Sequence, residues 1–170
     1  ILTENNVQCI LCELKKKIEG SVGVVSAIRQ GSVGFENWVQ IEMSGILKQY
    51  INNEDRIVIE RDHDIGIYHN NAPTVVIEIK IVGNSTGLSE TNKDVNNLKK
   101  YSSNVEKAFF CVLYKSKGEK SCEGTLKEIS TYIGSLSPQV IKQEEISGVN
   151  DNNGEHIKVI LYLNRWGGID

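Results

Sequence analysis

The sequence predicts an α/β fold in which a central mixed β-sheet is flanked by helices. Runs rich in β-branched residues, such as TVVIEIKIV, alternate along the chain with segments of helical apolar periodicity. The order helix, three strands, helix, strand, helix, strand is typical of such a sheet. The 170 residues, 39% hydrophobic and 24% charged, have the composition of an ordinary globular protein. We therefore expect a single domain over residues 1–170.

Helices are predicted where apolar residues recur every three to four positions. Thr3 is the candidate N-cap of the first helix and Gly20 its stop. The predicted helices are residues 3–19, Phe35–Tyr50, about Leu88–Ser103 and 122–135.

Strands are predicted where β-branched and aromatic residues cluster between turn-forming residues. The Gly-punctuated stretch 20–34 is expected to be a loop with room for a short helix, and polar residues predict loops at 69–73, 83–87, 115–121 and 147–156. The predicted strands are Arg56–Glu60, Asp64–Tyr68, Thr74–Val82, Lys107–Tyr114 and Ile157–Leu163.

Charge and hydropathy exclude several classes of protein. The 19 Lys and Arg against 22 Asp and Glu give a net charge of −3, unlike a freestanding nucleic-acid-binding protein. No window of about 18 apolar residues exists, so we expect no membrane partner. The N-terminal sequence ILTENNVQCILCELKKK places its charges after its apolar residues, the reverse of a secretory signal. The absence of an initial Met predicts a processed chain or an excised fragment.

The cysteines are Cys9, Cys12, Cys111 and Cys122. The CILC spacing resembles half of a zinc site, but no second CxxC and no suitably spaced His pair follow. Cys9 and Cys12 fall in an apolar helical pattern and are expected to be buried free thiols. Because a chain of this size needs no disulfide, we expect a reducing, cytoplasmic (intracellular) location.

The strand Thr74–Val82 divides its side chains between two faces of the sheet. One face is entirely apolar, whereas the other carries a carboxylate and an ammonium group among valines. The first set is Val75, Ile77, Ile79 and Ile81, and the second is Val76, Glu78, Lys80 and Val82.

The pairing of this strand with the preceding one predicts a metal site. A loop at 69–73 would place Tyr68 opposite Thr74 and Asp64 opposite Glu78. Directly opposed residues have Cβ atoms about 4.5–5.5 Å apart, where like charges destabilise the pair. A divalent cation would offset that repulsion, with Lys80 beside the water that the cation binds. A shift of one residue in the register would separate these groups.

A third carboxylate comes from the helix that contains FENWVQIEMSGIL. Phe35, Val39, Glu42 and Ile46 are spaced as one apolar stripe, so Glu42 is expected to be buried. A buried carboxylate needs a partner or a metal ion. The alternative is that Glu42 lies at the edge of the stripe and reaches solvent.

Together these residues resemble the PD-(D/E)XK nuclease superfamily, which has the restriction-endonuclease-like fold. The family pattern is a helix Glu, an Asp on one strand and E-x-K on the next strand. It is matched by Glu42, by Asp64 in DIGI and by Glu78-Ile79-Lys80.

The resemblance covers roughly Phe35–Tyr114, including the apolar segment KAFFCVLY as the fourth strand. Asp94 and Asn97, in KDVNNLKKY, fall where the family often places polar residues near its site. The sequence departs from the family in having His63, rather than Pro, before Asp64.

The resemblance implies hydrolysis of phosphodiester bonds that depends on Mg²⁺ or Mn²⁺, with DNA as the expected substrate, in restriction, defence or repair. It implies that Asp64, Glu78 and the Ile79 carbonyl bind the metal, and that Lys80 orients and helps deprotonate the attacking water. Glu42 would bind a second metal or hold an outer-shell water. Cleavage of both strands of a duplex would favour a homodimer.

Two other functions remain open at this point: an inactive nucleic-acid-binding or assembly module on the same fold, and an unrelated α/β domain.

Basic residues after the E-x-K are candidate phosphate contacts, although each alone is equally typical of a solvated helix face. They are Lys93, Lys99 and Lys100. Asp62 is an alternative to Asp64, and His63 and His69 are expected to be surface histidines.

Overall fold

In the computed structural model, helices pack on both faces of a six-stranded mixed sheet. The structure describes residues 1–21, 23–24, 26, 33–59, 63–82, 88–116, 127, 131, 140–150 and 156–166. The helices among these residues are α1 (Glu4–Glu19), α2 (Val33–Leu47) and α3 (Leu88–Leu98). The strands are β1 (Arg56–Val58), β2 (Ile65–His69), β3 (Ala72–Val82), β4 (Glu106–Ser116), β5 (Val140–Asn150) and β6 (His156–Trp166).

The sheet has the order β1-β2-β3-β4-β6-β5. Strands β3 and β4 are parallel and are connected through α3, while the other neighbouring strands are antiparallel. The α/β class and the mixed sheet are therefore as the sequence predicts. In the described part of the chain, no helix is long and apolar enough to cross a membrane.

The β2–β3 hairpin brings Asp64 and Glu78 together as predicted, although its turn is shorter than the predicted loop at 69–73. The turn is two residues long, at Asn70 and Asn71, whose φ values of 49° and 66° suit the side chain of Asn. An irregularity next to Ile67 shifts the register by one residue, so that Ile65 still pairs with Ile77. The predicted pairing of Tyr68 with Thr74 is wrong, but the predicted register holds at the site end of the hairpin.

The two faces of β3 enter different cores. Val75, Ile77, Ile79 and Ile81 belong to the larger apolar cluster, together with α1 and α2. Val76 and Val82 belong to a smaller cluster that includes Val95 and Leu98 of α3. The alternation predicted for this strand is confirmed, and it brings Glu78 and Lys80 to the side of the sheet on which α3 packs.

Helix α1 has the predicted ends. The Thr3 hydroxyl accepts a hydrogen bond from the Asn6 N–H at 3.2 Å, and the Gly20 N–H donates to the Lys16 carbonyl at 3.0 Å. The side chains that α1 buries recur at helical spacing and are Val7, Ile10, Leu11, Leu14 and Ile18. This periodicity and the two caps explain why the helix was predictable.

Strand β5 was not predicted. The expected loop at 147–156 is wrong for residues 147–150, which belong to this strand. Glu144 of β5 forms an ion pair with Lys15 of α1 at 3.7 Å, so a polar side chain lies on the face that α1 covers. An edge strand that contacts its neighbouring helix through charges lacks a clear apolar alternation. Most of the predicted helix 122–135 lies outside the described residues.

Candidate functional site

Asp64 lies just before β2, where two other elements hold its carboxylate. Its Oδ1 accepts a hydrogen bond from Gln40 Nε2 of α2 at 2.7 Å, and its Oδ2 accepts from the Ile79 N–H of β3 at 2.6 Å. The N–H and C=O of a strand residue point to the same edge of the strand. The Ile79 carbonyl, one of the predicted metal ligands, therefore points to the edge on which Asp64 lies.

Glu78 is buried on β3, with 6% of its surface exposed. Burial raises its pKa to about 8, and the negative charges of Asp64 and Asp94 and a hydrogen bond with Asp64 add to this, while a hydrogen bond from Asn97 acts in the opposite sense. Two carboxyl groups can be hydrogen-bonded to each other only when they share a proton. The predicted pair of Asp64 and Glu78 is thus brought together, and the raised pKa of Glu78 favours the protonated form of its carboxyl group.

Lys80 lies two residues farther along the same face of β3. Its ammonium Nζ forms an ion pair with Asp94 Oδ2 of α3 at 3.0 Å. Burial raises the pKa of Asp94, while the contact with Lys80 lowers it and the charge of Asp64 raises it. The sequence placed Asp94 and Asn97 near the site through the family resemblance alone, and the structure joins them to Lys80 and Glu78 respectively.

The prediction that Glu42 occupies the buried stripe of α2 is wrong. Met43 is fully buried there, whereas Glu42 is partly exposed and forms an ion pair with Lys17 of α1 at 2.6 Å. The buried stripe of α2 includes Phe35 and Met43. Glu42 lies at one edge of this stripe and faces α1 rather than the strand cluster.

Glu36 is the α2 carboxylate that interacts with the strand cluster. Burial raises its pKa, and the charges of Asp64 and Asp94 raise it further while Lys80 lowers it. Glu36 lies one helical turn before Gln40, so both residues occupy the edge of the stripe opposite Glu42. The spacing of Glu36 and Gln40 is the sequence signal that could have identified this second edge.

The donor set fits a hard divalent cation, because carboxylate and carbonyl oxygens are the ligands that Mg²⁺ and Mn²⁺ prefer. Glu78 Oε1 is buried and has no hydrogen-bond partner within the described residues. No group of three or more His, Cys, Asp or Glu side chains in those residues is already arranged around a metal position.

The candidate phosphate contacts are exposed: Lys93 lies on α3, and Lys99 and Lys100 lie in the turn that follows it. Lys100 Nζ donates to Asn97 Oδ1 at 3.0 Å, and the Lys93 charge lowers the pKa of Asp94. These lysines therefore lie on, or just after, the helix that contacts the E-x-K strand, and their role toward nucleic acid stays a prediction.

The two histidines near the hairpin differ in exposure: the His69 side chain is exposed, as expected, and His63 is not. His63 is buried and its Nδ1 lies 2.7 Å from the Tyr101 hydroxyl, so the expectation of a surface histidine is wrong there. His69 Nδ1 lies 2.9 Å from Asp55 Oδ1. Asp62, the alternative to Asp64, lies outside the described residues.

The expectation that Cys9 and Cys12 are buried is wrong. Cys9 is exposed and Cys12 is partly exposed, whereas Cys111 is buried. The described thiols are free, as predicted. Cys122 lies outside the described residues.

Compared with known proteins, the chain matches no family model, no curated protein and no solved structure.

Proposed function

We propose that this protein is a nuclease of the PD-(D/E)XK type, which hydrolyses phosphodiester bonds in DNA with Mg²⁺ or Mn²⁺. One observation carries the proposal: Asp64 and the buried Glu78, whose pKa is raised partly by the charge of Asp64, lie together at the end of a hairpin, and Lys80 follows on the same strand face. The order α2, antiparallel β1-β2-β3, α3 and parallel β4 supports the restriction-endonuclease-like fold that the family resemblance implies.

The residues that would hold the cation are Asp64, Glu78 and the Ile79 carbonyl. When bound, the cation supplies a Lewis acid that polarises the phosphate and makes water a stronger nucleophile at neutral pH. Glu78 releases its proton as the cation binds, because a carboxylate ligand must be ionised. Gln40 holds one oxygen of Asp64, which limits the rotation of that carboxylate.

Lys80 acts on the attacking water. Its ammonium group is held at a fixed place near the carboxylates by Asp94, and it orients the water and stabilises negative charge on the phosphate. Glu36 takes the role that the sequence assigned to Glu42: an ionisable group beside the cluster that holds water or a second cation.

The free thiols support an intracellular location, since such groups persist in a reducing compartment. Lys93 on α3, with Lys99 and Lys100 in the turn after it, supplies positive charge for contacts with the phosphate backbone that are independent of base sequence. Cleavage of both strands of a duplex would favour a homodimer, because one site cuts one strand.

Cleavage of supercoiled plasmid and of single-stranded DNA, each with Mg²⁺, Mn²⁺ or Ca²⁺, tests the proposal. We expect nicking or cutting with Mg²⁺ and Mn²⁺, loss of cleavage in Asp64→Asn, and a fall in kcat of about 10²-fold to 10⁴-fold in Lys80→Ala. Glu54→Gln, which alters an exposed carboxylate in the turn before β1, serves as the matched control. Cleavage at the wild-type rate in Lys80→Ala would contradict the mechanism. DNA binding without cleavage by the wild type would favour the inactive module instead.

A further inference from the structure

Helix α3 packs on the face of β3 that carries Lys80, and it holds the Lys80 side chain. Asp94 Oδ2 lies 3.0 Å from Lys80 Nζ, and both side chains are mostly buried, with exposed fractions of 16% and 19%. Val95 and Leu98, which flank Asp94 on α3, are fully buried and fix the helix against the sheet. The ion pair is therefore part of a packed interface and not a contact between mobile surface chains.

The polar contacts of α3 and β3 match in spacing. Asp94 and Asn97 are three residues apart on the helix, where side chains lie about 5–6 Å from each other. Lys80 and Glu78 are two residues apart on the strand, a separation of about 6.5 Å. Asp94 thus meets Lys80 while Asn97 meets Glu78. Lys100 Nζ donates a hydrogen bond to the side-chain oxygen Oδ1 of Asn97. The side-chain nitrogen of Asn97 is therefore the atom that donates to Glu78.

We propose that Asp94 is a positioning residue that holds the Lys80 ammonium beside the Asp64–Glu78 pair and prevents it from binding that pair. This inference rests on the proposed nuclease function. The next carboxylate along the strand is Glu78, and an ammonium group that lost Asp94 would turn toward it. Lys80 would then occupy the oxygens that the cation needs and would no longer hold the attacking water.

Two variants separate charge from geometry at position 94. Asp94→Ala removes the oxygen that Lys80 contacts, whereas Asp94→Asn keeps an amide oxygen of the same shape that can accept from the ammonium. We expect kcat on plasmid DNA with Mg²⁺ to fall about 100-fold in Asp94→Ala, with little change in KM. Asp94→Asn should recover part of that loss. Equal losses in the two variants would contradict a positional role.

A double-mutant cycle tests whether Asp94 acts through Lys80. If it does, adding Asp94→Ala to Lys80→Ala changes the residual kcat by less than about twofold. A further large loss in the double variant would overturn the inference, because Asp94 would then act on the reaction without Lys80.

A readout without DNA distinguishes this inference from the proposed function. In protein labelled with ¹⁵N at lysine, Lys80→Arg identifies the Nζ resonance of Lys80. We expect that resonance to shift in Asp94→Ala and to shift less in Asp94→Asn, with Glu54→Ala as an unchanged control. An unshifted resonance would refute the Asp94 contact even if the protein cuts DNA. A shift in a protein that cuts no substrate would refute the nuclease proposal and leave the ion pair established.

Discussion

Burial affects the side chains on the two faces of β3 in different ways. On the face toward α1 and α2, Ile77 and Ile79 are almost fully buried in an apolar core, where burial stabilises the fold. On the face toward α3, Glu78 is buried to a similar degree, and burial raises the pKa of its carboxyl group to about 8. The same depth in the same strand therefore supplies stability on one face and a raised carboxyl pKa on the other.

Buried polar side chains are tolerated on the second face because neighbouring helices supply polar partners for them. Asn97 and Asp94 of α3 contact Glu78 and Lys80, and Gln40 of α2 reaches Asp64 at the end of β2. Perturbed pKa values concentrated in one such cluster are typical of functional sites. If this contrast is correct, substitutions on the first face change folding, and substitutions on the second change protons, metal binding and catalysis.

The largest effect on folding is expected from Ile77→Ala on the apolar face. Removing this fully buried side chain should lower the free energy of unfolding by about 2–5 kcal/mol, because it leaves a cavity in the core. Glu78→Gln, the neighbouring position on the other face, should leave the metal-free protein as stable or more stable at pH 8. Urea denaturation measures both. A larger loss in Glu78→Gln than in Ile77→Ala would break the contrast between the faces.

The pH dependence of stability gives the next effect. The pKa of Glu78 is raised from 4.5 to about 8, so the folded protein retains a proton that the unfolded chain releases. Its favourable contribution is complete below about pH 4.5 and is lost as the pH rises through 8. We expect the Tm of the metal-free protein to fall between these pH values, and to fall less in Glu78→Gln. Glu36 and Asp94, whose pKa values are also raised, should leave a residual slope. Identical slopes in the two proteins would contradict the assignment to Glu78.

The α3 face also constrains backbone geometry in β2. A Cβ atom at Gly66 would lie 2.3 Å from His63 Nε2 and 2.6 Å from a ring carbon of Tyr68. Gly66→Ala should therefore lower the free energy of unfolding by about 1–3 kcal/mol through overpacking. Gly45→Ala in α2 is the matched control, because its Cβ meets nothing within 4 Å and Ala favours a helix. Equal stability of Gly66→Ala and the wild type would show that the His63 and Tyr68 rings can move aside.

The smallest effects on folding separate the two carboxylates of α2. Glu42→Gln removes the ion pair with Lys17 and should lower the free energy of unfolding by less than about 1 kcal/mol without changing cleavage. Glu36→Gln should reduce cleavage about 10-fold to 100-fold, as expected for a group that supports metal ligands. Plasmid cleavage and thermal denaturation of the two variants check this. Loss of cleavage in Glu42→Gln but not in Glu36→Gln would return the role to the residue that the sequence suggested.

The strand part of the site could be predicted from the sequence. Strand periodicity has a repeat of two, so the apolar alternation of β3 was enough to predict the face of Glu78 and Lys80. The hairpin register near Asp64 followed from the same constraint, even though the turn was placed wrongly.

The helical contribution to the site could not be assigned in the same way. An apolar stripe on a helix has two edges. The sequence alone does not show which edge faces the end of the sheet that carries Asp64 and Glu78. Glu42 and Glu36 occupy opposite edges of α2, and only the tertiary contacts decide between them. Strand β5 escaped prediction for a related reason, because Glu144 contacts charged and polar groups of α1 where an apolar residue would be expected.

The central claim is that Asp64 and Glu78 form a cation site, and a Mn²⁺ titration of the Tm at pH 8 tests it most directly. A cation that binds only the folded protein stabilises it by about 2.7 kcal/mol at 100 times its Kd. We expect the Tm of the wild type to rise with Mn²⁺, to rise less at pH 6, where Glu78 keeps its proton, and to stay constant in Asp64→Asn. An equal rise in Asp64→Asn, or no rise in the wild type at pH 8, would contradict the claim.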